Sequence, residues 1–304
     1  MVDDRAAFEA LVHRVDPAGK LLQFWPLTGG VSAQVTALEV LRSDGQIQKM
    51  VVRQHGPVDL EQNPLIAADE FRLLQYLSAA AIPVPQPYHL EPAGELFSTP
   101  CLVIAYVDGQ PDFHPAEVTV CVEQLATHLA QIHAIRDAPT HLPFLHTNHD
   151  WQTRMVQNQP ARLDDSLDEG RIRDVLEAVW PLPVLNDPVL LHGDFWPGNV
   201  LWHAGKLAAI IDWEDASLGD PLADLANSRM EILWAYGVEA MQYFTHCYRA
   251  GAAMVDLTNL PYWDLCVALR PAFKIGEWAG DAATERRMRE QHNWFVTQAF
   301  EQLT

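Results

Sequence analysis

The chain lacks any long apolar run, and this excludes one broad class of protein. No stretch of its 304 residues approaches the ~20 consecutive apolar residues that a transmembrane helix requires. Its first residues, Met1 to Arg5, are acidic, whereas a secretory signal is basic and then apolar. We therefore expect a cytoplasmic protein with no membrane partner.

Basic residues and cysteines are also scarce. The chain has 20 Lys and Arg against 40 Asp and Glu, and the net charge of −20 opposes binding to a nucleic-acid backbone. The four cysteines show no Cys-x-x-Cys spacing and stand in apolar sequence, so we predict buried free thiols. No repeat, low-complexity segment or heptad pattern indicates a fibrous protein or a coiled coil. The hydrophobic content of 49% is sufficient for one large or two moderate globular domains.

Polar side chains with fixed spacing stand between short apolar runs in the middle of the chain. His192, Asp194 and Asn199 reproduce the spacing H-x-D-x-x-x-x-N of a kinase catalytic loop, and another apolar run ends at Asp212. An isolated His-x-Asp is compatible with a loop cap or a solvated turn. The complete spacing, followed by a second strand that ends in aspartate, favours phosphoryl transfer.

The chemistry of phosphoryl transfer explains why these residue types would occur together. The protein has to orient the attacking hydroxyl and neutralise charge on the phosphate oxygens. Asp194 can accept the proton of the hydroxyl, whereas Asn199 and Asp212 offer hard oxygen ligands to Mg²⁺.

Three segments together resemble the aminoglycoside phosphotransferase family, which also includes choline-kinase-like and homoserine-kinase-like enzymes. They are His192-Gly193-Asp194 with Asn199, Ile211 to Ala216, and Gly219 to Ala226. The resemblance implies an α+β, protein kinase-like two-lobed fold with a small N-terminal antiparallel β-sheet lobe and a larger, mainly helical C-terminal lobe. It also implies ATP or GTP and Mg²⁺ as cofactors.

The same resemblance assigns roles to individual residues. It implies that Asp194 is the catalytic base, that Asn199 and Asp212 are magnesium ligands, and that Asp220 steadies the catalytic loop. The chain departs from protein kinases at Asp212-Trp213-Glu214, which stands where they carry Asp-Phe-Gly. This departure is usual among small-molecule kinases.

The N-terminal part has the features of a nucleotide-binding lobe. Gly29, Gly30 and Ser32 lie between strand-like runs and match the family's glycine loop, although two glycines taken alone are more often part of a simple hairpin. Arg53, at the end of the third predicted strand, stands where a kinase lysine meets the phosphates. Glu70 opens a predicted helix and could form an ion pair with Arg53 or be solvated.

Two further strands complete a predicted five-stranded sheet in this lobe. By the resemblance, backbone groups near Ala105 and Val107 would bind the adenine. Asp108-Gly109-Gln110-Pro111 breaks the strand pattern, so we place the lobe boundary between residues 107 and 108. The predicted domains are a nucleotide-binding lobe, 1–107, and a helical lobe with the catalytic loop and the acceptor pocket, 108–304.

The C-terminal part is predicted to be helical, including runs at 238–250, 262–279 and 283–302. His133 stands beside an apolar stripe and is expected to be a hydrogen-bonded core histidine. Residues 108–304 carry 28 acidic and 13 basic residues. This excess is compatible with ordinary solubility, or with a cationic small-molecule acceptor held by aromatic faces and Asp264 or Glu277.

Two other functions remain open on the sequence. His192, Asp194 and His246 could form the 2-His-1-carboxylate site of a non-haem Fe(II) oxygenase, although this leaves Asn199 and Asp212 unexplained. A catalytically silent nucleotide-binding module of the same fold is the other alternative. Because the base and both metal ligands are present, we predict an active small-molecule kinase.

Overall fold

The computed structural model describes residues 4–27, 33–147, 153, 155–158 and 160–303. The chain divides into two compact units: residues 1–109 with 208–214, and residues 110–207 with 215–304. The sequence predicts two consecutive lobes, whereas in the structure residues 208–214 return to the first unit. This return places Asp212 in the first unit and Asp194 and Asn199 in the second.

The first unit is built on a five-stranded antiparallel sheet, as predicted, with the strand order β1-β2-β3-β5-β4. The strands are β1 (Lys20–Pro26), β2 (Ala33–Leu41), β3 (Ile47–His55), β4 (Pro87–Glu91) and β5 (Cys101–Ala105). The central strand, β3, carries Arg53 opposite Val35 of β2 and Leu102 of β5. Strands on both sides therefore fix the backbone of Arg53.

Three helices accompany this sheet: α1 (Asp4–Val15), α2 (Pro57–Gln62) and α3 (Ile66–Ala79). In α1, the buried residues Phe8, Leu11 and Val12 recur at helical spacing and join the apolar core of the sheet. The third helix begins at Ile66, four residues before the predicted start. Glu70 is consequently a buried residue within the helix and not its first residue.

The second unit is mainly helical. Its helices are α4 (Val118–His133), α5 (Ala138–His141), α6 (Glu169–Val179), α7 (Pro221–Tyr236), α8 (Val238–Gly251), α9 (Leu260–Val267), α10 (Ile275–Ala279) and α11 (Ala282–Gln302). The run predicted as one helix over 262–279 is two helices, because Pro271 interrupts the hydrogen-bond pattern. None of the described helices is long and apolar enough to cross a membrane.

Helix α7 occupies the centre of this unit and is buried on almost every side. Its N-terminus is capped by Asp220, whose carboxylate accepts a hydrogen bond from the Leu222 amide at 3.0 Å, and Pro221 occupies the first position. Gly237, with φ of 92°, ends the helix. A central, well-capped helix provides a rigid base for the loops that contact it.

Four short strands carry the polar segment that the sequence singles out. They are β6 (Val189–Leu191), β7 (Val200–His203), β8 (Lys206–Ile210) and β9 (Ser217–Gly219). Strand β6 pairs with β9, and β7 pairs with β8. Of the four free cysteines, Cys101, Cys121 and Cys266 are buried as predicted, whereas Cys247 is half-buried.

Candidate active site

A group of charged side chains surrounds Arg53 in the first unit. Arg53 Nη2 donates to Asp212 Oδ1 at 2.9 Å and to Glu214 Oε2 at 2.7 Å. Its Nη1 lies 3.3 Å from Glu70 Oε1, so the ion pair suggested by the sequence is present. We refer to Arg53, Glu70, Asp212 and Glu214 as the Arg53 cluster.

The electrostatics of the Arg53 cluster follow from its burial. Burial acts to lower the pKa of Arg53, but the charges of Glu70, Asp212 and Glu214 outweigh it and raise that pKa. Burial likewise acts to raise the pKa of Glu70, yet the Arg53 charge holds it below the usual value. Both groups are therefore charged at neutral pH. With three carboxylates around one guanidinium, the cluster has an excess of negative charge.

Asp212 is the most exposed member of the cluster, with 38% of its side chain accessible. Its backbone has φ of 65°, in the left-handed region that aspartate tolerates better than most residues. The turn is held by Trp213, a buried residue whose indole donates to the Ile210 carbonyl at 3.1 Å. One carboxylate oxygen thus binds Arg53, while the side chain remains accessible to an ion.

The predicted nucleotide contacts of the first unit are only partly covered by the structure. Gly29, Gly30 and Ser32 lie outside the described residues. Ala105 ends β5, and its amide already donates to the Gln86 carbonyl at 2.8 Å. Val107 follows that strand by two residues. Adenine binding at these two positions stays a prediction.

The loop from His192 to Asn199 belongs to the second unit and follows the fully buried strand β6. Gly193 has φ of 87°, and a Cβ there would lie 2.3 Å from the Asp215 carbonyl oxygen. A Cβ at Gly198 would overlap the Trp196 indole. Both glycines are therefore required by the path of the loop.

The two polar side chains of this loop contact each other. Asn199 Nδ2 donates to the Asp194 carbonyl at 2.9 Å and to Asp194 Oδ2 at 3.2 Å. The Asp194 amide in turn donates to Nδ1 of the fully buried His192 at 3.2 Å. These bonds orient the Asp194 carboxylate, of which 29% is accessible. His192 thus supports the loop from within the core.

Asp224, a buried aspartate on α7, anchors the same loop. Asp224 accepts hydrogen bonds from the amides of His192 at 2.6 Å and Gly193 at 2.9 Å. The implication that Asp220 steadies the loop is therefore wrong: Asp220 caps α7 and accepts a bond from Asn186. Asp224 lies one helical turn further along α7 than Asp220. At that position its carboxylate reaches the loop amides, whereas Asp220 remains at the end of the helix.

A second pair of buried side chains holds Asp224 in turn. His133 contacts Asp224 Oδ2 through Nε2 at 3.4 Å and Tyr248 Oη through Nδ1 at 2.6 Å. Burial raises the pKa of Tyr248, so its hydroxyl keeps its proton. The His133 ring therefore links the Tyr248 hydroxyl to the Asp224 carboxylate. His133 is the hydrogen-bonded core histidine that the sequence predicts.

An arginine and a glutamate that the sequence analysis did not single out lie near Asp194. Arg270 Nη2 is 3.3 Å from Asp194 Oδ1, and Nη1 of the same arginine contacts Asn227. Burial raises the pKa of Glu231 to about 7; the Arg270 charge opposes this shift, and the Asp194 charge adds to it. The surroundings of Asp194 thus include one cation and one carboxyl that titrates near neutral pH.

The structure of the second unit argues against two of the interpretations that the sequence leaves open, the iron site and the acceptor contact of Asp264. His246 is exposed and stacks on Tyr243, whereas His192 is fully buried. Within the described residues they form no metal-binding group with Asp194, which argues against the oxygenase. Asp264 is also unavailable to an acceptor, because it is buried and bonded to Arg229 at 3.0 and 2.8 Å.

Several side chains around Arg53 and Asp194 were not predicted from the sequence. Asp224 and Glu214 stand inside segments that match the family, which is the signal that could have identified them. Arg270, Asn227 and Glu231 have no such signal, because they lie outside the segments that match the family. Only the folded chain brings them near Asp194.

A family model and several curated proteins are similar to this chain. The model of the phosphotransferase enzyme family matches residues 6–240. Acyl-CoA dehydrogenase family member 10 of Mus musculus is 29% identical over 171 residues, which cover 52% of this chain and 16% of that protein. The chain therefore spans about a sixth of the length of that relative. Viomycin phosphotransferase of Streptomyces vinaceus is 28% identical over 203 residues, covering 60% of this chain and 70% of that protein.

A solved structure supports the fold over nearly the whole chain. It is a thermostable mutant of an aminoglycoside phosphotransferase in ternary complex with ADP and hygromycin B. The TM-score is 0.63 at 17% identity, and the match covers 96% of this chain and 98% of the other. The predicted α+β, protein kinase-like fold is thereby confirmed.

Proposed function

Because the chain belongs to the phosphotransferase enzyme family, we propose that it transfers the γ-phosphoryl group of ATP or GTP to a hydroxyl group of a small molecule, with Mg²⁺. The first unit would bind the nucleotide, and the second would carry the catalytic loop and the acceptor. The observation that carries the proposal is the orientation of Asp194 by Asn199 and by the anchored loop.

Asp194 is assigned the role of catalytic base. Its carboxylate is accessible, hydrogen-bonded on one oxygen by Asn199 and on a loop whose backbone Asp224 holds. A base must be positioned within hydrogen-bond reach of the hydroxyl it deprotonates, and a rigid loop provides that positioning. The Arg270 guanidinium lies beside it, with Nη2 3.3 Å from Asp194 Oδ1.

The donor atoms of Asp212 and Asn199 suit a magnesium ion. The Asp212 side chain is accessible, and only one of its oxygens contacts Arg53. Asn199 donates its amide nitrogen to Asp194, which leaves its amide oxygen as the ligand atom. Hard oxygen ligands are those that Mg²⁺ prefers. When bound, the ion would neutralise charge on the transferring phosphoryl group.

The Arg53 cluster supports the same requirement for a cation. Arg53 is assigned to the nucleotide phosphates, with Glu70 fixing its side chain. Three carboxylates around one guanidinium would repel a polyphosphate in the absence of added positive charge. Nucleotide binding should therefore depend on divalent cation.

The acceptor is assigned to the class of small hydroxylated molecules. The relatives that this chain resembles include a viomycin phosphotransferase and a protein in complex with hygromycin B. The acidic excess of residues 108–304 favours a cationic acceptor, whereas Arg270 next to Asp194 favours an anionic group nearby. Both charge classes belong in a search for the acceptor.

The experiment that tests this proposal is a screen for ADP release over hydroxylated amines, antibiotics, sugars and hydroxy acids. We expect at least one acceptor to give ADP and a phosphorylated product in equal amounts, and chelation of divalent cation to stop both. Mass spectrometry of the product confirms transfer to the acceptor and separates it from hydrolysis. Tight nucleotide binding without turnover on any acceptor would favour the catalytically silent module.

A further inference from the structure

A histidine and two carboxylates meet beside the Arg53 cluster, and the proposed reaction uses none of them as metal ligands. His55 ends β3, Asp59 lies in α2, and Glu214 follows the turn at Asp212. One ligand atom from each lies within 4.8 Å of the other two. All three residues belong to the first unit.

The environment of His55 is that of a metal ligand. The ring is buried, its Nε2 lies 2.8 Å from Glu70 Oε2, and within the described part of the chain neither ring nitrogen has a hydrogen bond of good geometry. A buried ring nitrogen without a partner is costly, unless something binds it. Metal-binding histidines characteristically have a carboxylate on the other ring nitrogen, which orients the ring and increases the basicity of the ligand. Glu70 stands in that position.

The local charge also favours a cation. Glu70, Asp212 and Glu214 contact Arg53, and Asp59 adds a fourth carboxylate nearby. Asp59 Oδ2 accepts a hydrogen bond from the Gly56 amide at 3.3 Å, which fixes its side chain at the end of β3. One guanidinium does not balance four carboxylates. A magnesium ion at Asp212 would still leave one negative charge in excess.

We propose that His55, Asp59 and Glu214 bind a transition-metal dication of the Zn²⁺ type. One imidazole nitrogen and two carboxylates form a three-ligand set to which water adds a fourth ligand. Zinc bonds of about 2.0–2.2 Å place neighbouring ligand atoms about 3.3 Å apart, so ligand atoms that lie within 4.8 Å of one another would close by at most about 1.5 Å on binding. Asp59 and Glu214 are partly exposed and can make this movement.

This site is distinct from the magnesium site assigned to the reaction. Mg²⁺ prefers oxygen ligands and is bound poorly by imidazole, whereas Zn²⁺ accepts nitrogen and oxygen. The ion would connect β3, α2 and the segment after Asp212. Its binding is therefore expected to stabilise the first unit against unfolding.

The test is a Zn²⁺ titration of the untagged, EDTA-treated protein by calorimetry in the absence of nucleotide. We expect one Zn²⁺ per chain and no displacement by excess Mg²⁺. Asp59→Asn should weaken binding by about 100-fold or more, because even residues that only support a metal ligand cost 10–100-fold. Glu61→Gln, an exposed acid on the same helix, should bind as the unchanged protein does.

A second metal probes the nitrogen ligand directly. Co²⁺ bound at this site should give visible absorption bands that His55→Gln abolishes. Because His55 is buried, circular dichroism checks the fold of that variant, and Asp59→Asn remains as the test if it does not fold. Absence of stoichiometric Zn²⁺ binding, or Asp59→Asn binding as tightly as Glu61→Gln, would overturn the proposal. Displacement of Zn²⁺ by Mg²⁺ would also overturn it.

Discussion

The Arg53 cluster of the first unit and the His192–Asn199 loop of the second position their polar groups in different ways. In the cluster, side chains hold one another through charge, with one guanidinium bonded to three carboxylates. In the loop, a buried carboxylate holds the backbone, because Asp224 accepts the amides of His192 and Gly193. The side chain of Asp194 is then oriented by its neighbours in the loop.

This difference fits the two tasks that we assign. A cluster of charged side chains can rearrange when a nucleotide and its cation bind, since each ion pair can be exchanged for another. A loop held through backbone hydrogen bonds keeps its geometry, as a catalytic base requires. Substitutions in the loop anchor should therefore affect stability most, whereas substitutions in the cluster should affect nucleotide affinity.

The largest effect on stability is expected for Asp224→Ala. It removes the acceptor for two buried amides and for His133, so we expect a loss of about 3–5 kcal/mol in the free energy of unfolding. Denaturant unfolding measures this loss. A loss no larger than that of Asp220→Ala, on the same helix, would show that Asp224 does not anchor the loop.

Arg53→Gln should weaken nucleotide binding by about 100-fold, because the phosphates lose their cation and meet three carboxylates. Arg53→Lys should give an intermediate value, since one ammonium cannot bridge the same partners. Calorimetric titration with nucleotide and Mg²⁺ provides the measurement. Arg72→Gln, an exposed position on α3, is the matched control. Equal affinities for Arg53→Gln and Arg72→Gln would remove Arg53 from the nucleotide site.

The pH dependence of stability tests the surroundings of Asp194. Glu231 has a folded-state pKa of about 7, above the ~4.3 of an unfolded chain. The folded protein therefore binds more protons between these values, so this residue lowers stability as pH rises through them. Glu231→Gln should remove the penalty and gain on the order of 2 kcal/mol relative to the unchanged protein at about pH 8, but little at about pH 4. Parallel pH profiles for Glu231→Gln and the exposed Glu239→Gln would contradict this.

Asp220→Ala is expected to have the smallest effect of the four. It removes the cap of α7 and the hydrogen bond from Asn186. Loss of the cap costs about 1 kcal/mol. Denaturant unfolding again gives the value. Turnover should remain close to that of the unchanged protein, because the backbone of the catalytic loop is still held by Asp224. A large loss of turnover would return Asp220 to the role that the family resemblance implied.

Much of this site could be predicted because its spacing is local. His192, Asp194 and Asn199 belong to one loop, so their order in the sequence fixes their proximity. Alternating and helical apolar patterns likewise predict the five-stranded sheet and most helices. The predicted division into lobes lacked the return of residues 208–214, because a chain that re-enters an earlier unit leaves no local signal.

What the sequence could not predict depends on pairing over long distances. Asp220 and Asp224 are both aspartates beside the same motif, and only the direction of α7 decides which one reaches the loop amides. Arg270 is 76 positions from Asp194, and its place near the carboxylate results from helix packing. The sequence allows Asp264 to contact an acceptor, but in the structure its carboxylate is buried and bonded to Arg229.

The most direct test of the central claim is the turnover of Asp194→Asn on the acceptor that the ADP-release screen identifies. This substitution keeps the shape of the side chain and removes the proton acceptor. We predict that kcat falls by about 10²–10⁴-fold, as expected for loss of a general base. Nucleotide affinity in the presence of Mg²⁺ should stay close to that of the unchanged protein. Unchanged turnover with intact nucleotide binding would contradict the assignment of Asp194 as the catalytic base.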